Sequence, residues 1–136
     1  MIQVRFENGQ AVMRIKALGH AGIAVRDLDA SRAFYAGILG MPVASAESRR
    51  VALRASESEL LLLNRTDNVP HAAPHANGVH HIAFLVGNTP MTLDEAARHL
   101  DAHRIRYERV VHEEHESLYF RDPDGHLVEL YYWPSW

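Results

Sequence analysis

His80 and His81 open the apolar run "GVHHIAFLV" at residues 78–86, which reads as a β-strand. Neighbouring side chains on a strand point to opposite faces, so the two imidazoles cannot share one environment. The face of His81 continues through Ala83 and Leu85, whereas His80 belongs with Ile82, Phe84 and Val86, the bulky set that a helix would cover. The run "GHAGIAV" repeats the arrangement, with His20 on the face of Gly22 and Ala24, opposite Ala21, Ile23 and Val25. Each of two strands therefore begins with one histidine above small residues, which leaves room over the sheet. In "HLVELYYW", Glu129, Tyr131 and Trp133 share a face. A carboxylate among such neighbours needs a cation, or its burial costs several kcal/mol or drives it neutral. A divalent metal meets that need. Two neutral imidazoles and one carboxylate, with positions left open, form the ligand set of non-haem iron sites and of some zinc and manganese sites.

Periodicity and turn chemistry outline the elements that must position these residues. Residues 2–15, "IQVRFENGQAVMRI", alternate around Asn8-Gly9, a pair suited to a two-residue hairpin turn. "LGHAGIAV" (18–25) forms a strand, and Asp27-Leu28-Asp29 leads into "ASRAFYAGILG", where Asp29 is expected to cap a helix that Gly40 ends. "RVALR" (50–54) and "ELLLLN" (59–64) read as two further strands. "NRTDNVPHAAPHANG" (64–78) holds two prolines and no periodicity, which marks a connector. Beyond the His81 strand, Thr92 and Glu95 form a capping-box pattern ahead of a helical stripe of Leu93, Ala96, Ala97 and Leu100. "RIRYERVV", "ESLYFRD" and "HLVELYYW" supply three strands, with Asp122-Pro123-Asp124-Gly125 as the turn before the last.

The order is an internal repeat, and His20 and His81 are each followed seven residues later by Asp27 and Asn88, just ahead of a helix. The expected fold is α+β, with two β-α-β-β-β modules forming one curved mixed sheet, helices outside, preceded by a short N-terminal hairpin. One domain spans residues 1–136, with module one at about 17–64, the connector at 65–78 and module two at about 79–133. The inside of the curve is a natural pocket, and His20 and His81 point into it.

Composition narrows the partner. A formal net charge of −3 and scattered Lys and Arg give no basic stripe for nucleic acid, so a small molecule is expected. There is no cysteine, which removes disulfides and thiolate ligands and leaves His, Asp and Glu to hold any metal. Apolar runs such as Leu60 to Leu63 are too short to cross a bilayer, and no targeting signal opens the chain, so a cytoplasmic protein without a membrane partner is expected. Ten histidines are the unusual count.

"GHAGIAVRDLDASRAFYAGILG", "HHIAF" and "LYFRDPDGHLVELYYW" resemble the vicinal oxygen chelate superfamily of glyoxalases, fosfomycin and bleomycin resistance proteins, and extradiol dioxygenases. The resemblance covers residues 17–133 and implies a divalent metal on His20, His81 and Glu129, with iron(II) or manganese favoured over zinc, nickel or cobalt. It also implies a substrate-facing tyrosine ten residues before the glutamate, a place held by Tyr119. Departures discriminate among activities. Glyoxalase I enzymes use a further glutamate where "ELLLLNR" has Leu61 or Leu62, and Glu59 would need a register slip to replace it. The basic, serine-rich loop of the fosfomycin transferases is replaced by "VVHEEHES". Extradiol dioxygenases place histidines near the metal for proton transfer, and His112 or His115 lies in the corresponding region, with His71 and His75 as further candidates. His112 and His115 read equally as part of a solvated polar turn beside Glu113, Glu114 and Glu116, and Tyr119 as a core tyrosine.

The expected function is thus a metal-dependent enzyme chelating two neighbouring oxygens of a small substrate, with extradiol ring cleavage as the narrow assignment. Tyr119 would hydrogen-bond a developing oxyanion and His115 would act as acid or base. Alternatives are thiol transfer, isomerisation or epimerisation on the same metal, or a metal-free binding protein of the bleomycin-resistance kind. Such modules commonly pair, so a homodimer is expected, with the site lying within one chain or shared by two.

Overall fold

The computed structural model describes residues 4–13, 15–67 and 78–135. The N-terminal hairpin joins β1 (Val4–Glu7) to antiparallel β2 (Gln10–Met13). Asn8 and Gly9 turn it at φ 50° and 76°, the left-handed pair that matches strand twist in a two-residue loop. Module one consists of β3 (His20–Val25), α1 (Leu28–Arg32) running on into a π-helical segment (Ala33–Ile38), β4 (Val43–Ala46), β5 (Arg50–Arg54) and β6 (Leu60–Arg65). Module two consists of β7 (Ile82–Gly87), α2 (Pro90–Ala102), β8 (Glu108–Val111), β9 (Glu116–Arg121) and β10 (Leu127–Tyr132). The α+β class and the pair of βαβββ units are as the repeat implied. Where the sequence pointed to one curved sheet, a single chain hydrogen-bonds as two mixed sheets, ordered β3-β6-β5-β4 and β7-β10-β9-β8. No ladder joins their edge strands β3 and β7 among the described residues.

Local chemistry departs from expectation at three points. Asp27, not Asp29, caps α1: its carboxylate accepts the Ala30 amide at 3.0 Å. α2 begins at Thr89-Pro90, so Thr92 is inside the helix; proline at the first helical position, with its preset φ, fixes the earlier start. β4 carries no alternation signal, because "VASA" is exposed throughout and lies at the sheet edge. The stripe Leu93, Ala97 and Leu100 is buried as expected. Among the described residues no helix is long and apolar enough to cross a membrane.

One core serves both modules. Val25, Leu61, Leu63, Val51 and Leu53 of the first sheet join Leu118, Phe120, Val128 and Leu130 of the second, with Phe34 and Leu93 from the helices. These residues have the opposite strand parity to His20 and Glu129, so the faces carrying those two are turned away from the shared core. Phe34 packs against Phe120 across the modules at 6.1 Å between ring centres.

Polar bonds tie the β9–β10 turn to module one. The buried Tyr35 hydroxyl donates to Asp122 Oδ2 at 2.7 Å, and Asp122 Oδ1 accepts the amides of Asp124 and His126 at 2.9 and 2.8 Å. His126 Nε2–H donates to the Ala24 carbonyl at 2.9 Å, and Asp124 Oδ1 accepts the Arg26 amide at 3.0 Å. Burial, with the nearby Asp122 charge and hydrogen bond behind it, pushes the Tyr35 phenol far above the ordinary tyrosine range. Replacing Tyr35 by Phe leaves the buried Asp122 carboxylate short of a donor and is expected to cost about 1–3 kcal/mol in urea unfolding. Because only the unfolded tyrosine ionises near pH ~10, the wild-type advantage over Tyr35→Phe is full below that pH and shrinks above it.

Candidate metal centre

Strand register builds the site. Glu129 on β10 lies opposite Ala83 of β7 in the parallel ladder and opposite Tyr119 of β9 in the antiparallel one. Glu129 is 7% exposed, and no Lys or Arg pairs with it among the described residues. His81 precedes β7 directly, and its Nε2 stands 3.9 Å from Glu129 Oε2. That distance is too long for a hydrogen bond. It is short enough for one divalent ion to be bonded to both atoms at about 2.0–2.2 Å. A buried carboxylate without a fixed cation, facing an imidazole nitrogen, is a donor set that fits such an ion.

Around this pair the rings form a continuous wall. Burial, followed by the hydrogen bond and charge of Glu129, raises the Tyr119 phenol above its usual range. The Tyr119 hydroxyl also meets His112 Nε2 at 3.3 Å, within hydrogen-bond reach. The His112 ring stacks on His115 at 4.4 Å between centres, and His115 packs against Trp133 at 5.1 Å and Tyr131 at 5.7 Å. The amide of His112 donates to the His115 carbonyl, closing the β8–β9 turn that presents both rings. Ser117, fully buried, shares the β9 face of Tyr119.

The chain brings His81, Glu129 and Tyr119 together, and His20 is not among them. His20 is exposed at the start of β3 in the other sheet, and no group of three or more metal-binding side chains converges among the described residues. His80 does not follow the parity read from the sequence. β7 starts only at Ile82, so His80 precedes the pleat, is exposed, and meets His81 at 2.9 Å between Nδ1 atoms. His115 does not touch Tyr119; His112 does, and both rings are half-buried rather than solvated. The signal for His112 was available: it continues the face of Glu108 and Val110, which the ladder sets opposite Tyr119 and Ser117. His71 and His75 lie outside the described residues.

Residues 17–130 match the family model of the Glyoxalase/Bleomycin resistance protein/Dioxygenase superfamily. The chain belongs to this superfamily. It is 30% identical over 132 residues to the uncharacterized protein YaeR of Escherichia coli (strain K12), covering 88% of this chain and 98% of that one. It is 29% identical over 116 residues to the catechol-2,3-dioxygenase of Bacillus subtilis (strain 168), covering 84% of this chain and 40% of that enzyme, so it spans about two fifths of that relative's length. The crystal structure of a glyoxalase/dioxygenase from Nostoc punctiforme shares the fold at a TM-score of 0.79 and 20% identity, covering 98% of this chain and 99% of that one.

Within this superfamily the two modules can be compared residue by residue. His20 and His81 both stand two residues before the strand position that pairs with the module's last strand at Leu62 and Glu129 respectively. Leu62 is therefore the module-one counterpart of Glu129, and Ala52, its antiparallel partner, is the counterpart of Tyr119. Glu59 lies before β6, where its carbonyl accepts the Ala55 amide in the turn. The additional glutamate of the glyoxalase I pattern has no equivalent in the module-one register. In a double-mutant cycle with Tyr119→Phe and His112→Ala, chemical denaturation is expected to give a coupling of about 0.5–1.5 kcal/mol, the size of one net hydrogen bond.

Proposed function

We propose that the protein is a divalent-metal-dependent enzyme acting on a small substrate with two neighbouring oxygens, and that its reaction is extradiol-type cleavage of a catechol ring. The observation carrying this reading is the buried Glu129 carboxylate facing His81 Nε2 at 3.9 Å, with no Lys or Arg paired to it among the described residues. His81, Glu129 and His20 would hold the ion, with iron(II) or manganese(II) preferred. A bound ion would supply Lewis acidity for the two oxygens and the redox step that dioxygen chemistry requires. Similarity to a catechol-2,3-dioxygenase and the lack of a glutamate at Leu62 favour ring cleavage over glyoxalase chemistry.

The chain's own residues then have separate tasks. Tyr119, kept protonated by burial and by Glu129, donates its hydrogen bond to a developing oxyanion when substrate enters. His112, through its 3.3 Å contact, steadies that phenol, and His115 acts through His112 by stacking on it. Tyr131 and Trp133 give the apolar wall against which an aromatic substrate would lie.

His20 reaches the centre in this reading from a second copy. The faces bearing His20 and Glu129 are turned away from the core within one chain, and β3 and β7 both offer open ladder edges. A cytoplasmic homodimer about a twofold axis would bring His20 of one copy to His81 and Glu129 of the other.

Elemental analysis of protein purified without chelators is expected to find about one equivalent of iron or manganese per chain, lost in His81→Ala and Glu129→Gln. Oxygen uptake should accompany loss of a catechol from a substrate panel. Activity only with a redox-inactive metal would replace ring cleavage by thiol transfer or isomerisation. Ligand binding that survives chelation and His81→Ala would replace the enzyme by a binding protein. When His20→Ala and Glu129→Gln subunits are mixed, each mixed dimer regains one intact site if the centre is shared, and none if it lies within a chain.

A further inference from the structure

The contact between His80 Nδ1 and His81 Nδ1 is 2.9 Å, with the rings edge to face at 84°. A neutral imidazole carries one N–H, so one ring donates and the other accepts. Two arrangements are possible, and they have opposite consequences for the metal centre. If His80 donates, the His81 proton sits on Nε2 and faces Glu129 across 3.9 Å, too far for a hydrogen bond, and the ring cannot ligate through that nitrogen. If His81 donates, its Nδ1–H is satisfied and its Nε2 lone pair is turned toward Glu129. We infer that His80 is a positioning residue that accepts the His81 Nδ1–H and so holds His81 as an Nε2 ligand. The inference rests on the proposed metal centre.

The placement of His80 suits this task. It precedes β7, so its ring is not committed to the helix-covered face where Ile82, Phe84 and Val86 pack. It is exposed, and in the described structure its ring nitrogen has His81 as partner. Ligating histidines in general are oriented and made more basic by an acceptor on the second ring nitrogen, and loss of that acceptor weakens binding. Here the acceptor is the adjacent residue in the chain, which couples the conformation of the 78–81 segment directly to the ligand.

Zinc(II) is a suitable probe because it is diamagnetic and binds imidazole nitrogen. Full-length wild type, His80→Ala, His80→Asn and His81→Ala would be titrated against a chromophoric zinc chelator, and the ring tautomers read by nitrogen-15 NMR with and without zinc. The expected result is a Nδ1–H tautomer for His81 in wild type and zinc affinity about 10–100-fold weaker in His80→Ala. His80→Asn, whose amide oxygen takes the acceptor position of Nδ1, should recover most of that loss, and His81→Ala should not bind. Wild-type affinity in His80→Ala, equal weakening in His80→Asn, or a Nε2–H tautomer for His81 in the zinc-free wild type would each overturn the role. If wild type binds no zinc, the proposed metal centre fails. The zinc-free spectra then still decide: a Nδ1–H tautomer that depends on His80 upholds the positioning role, and one independent of it removes the role.

Discussion

The buried hydrogen bond from Tyr35 to Asp122 is the point on which the two modules are set against one another. It joins the helix of module one to the turn that launches β10, and β10 carries Glu129. Asp122 is 6% exposed, and a carboxylate so buried is tolerable only because three donors reach it, two of them amides of its own turn. The third donor comes from the other module, so the turn can be fully satisfied only when the modules are docked. The His126 and Asp124 contacts to β3 and Arg26 repeat the constraint from the opposite side of the turn.

From that docking the character of each sheet face follows. Apolar residues of one parity converge on a shared core, and the other parity of module two carries Glu129, Tyr119 and Tyr131. Alternation along the strands thus sorts structure from chemistry without any further device. A bulge in β7 adjusts the repeat: Tyr131 pairs with Leu85 but Tyr132 pairs with Gly87, so Val86 is the extra residue. The strand of module one has no such insertion, since Ala24 and Val25 pair with Asn64 and Arg65 in step. The inserted residue accounts for the helix cap lying eight positions after His81, at Thr89, and seven after His20, at Asp27.

Much of this was legible in the sequence because it depends on local alternation and on turn residues. Asn8-Gly9, the strands beginning at His20 and near His81, the α2 stripe and the Asp122–Gly125 turn all carry strong local signals. The single parity argument also put Glu129 on the face of Tyr131. What could not be read depends on where an element begins or on what a ring meets. Alternation places His80 on a face only if the pleat includes it, and the strand starts two residues later. His112 and His115 sit in a run of charges, and only the hairpin geometry brings one of them to a phenol seven positions away. The Tyr35–Asp122 bond spans 87 positions, and nothing in either local sequence announces it.

The two modules share a scaffold but not its use. At the register positions where module two has Glu129 and Tyr119, module one has Leu62 and Ala52, and His20 lies opposite Leu60. Module two therefore gathers the carboxylate, the phenol and the imidazoles of His81, His112 and His115, while the matching face of module one carries His20 with Leu62, Ala52, Asn64, Arg50 and Arg54. A carboxylate held by both modules would add a further buried negative charge, with a desolvation cost that only more positive charge could offset. With Leu62 in that place the charge is confined to one side. The two modules thus keep one strand pattern while placing different chemistry on the same register positions.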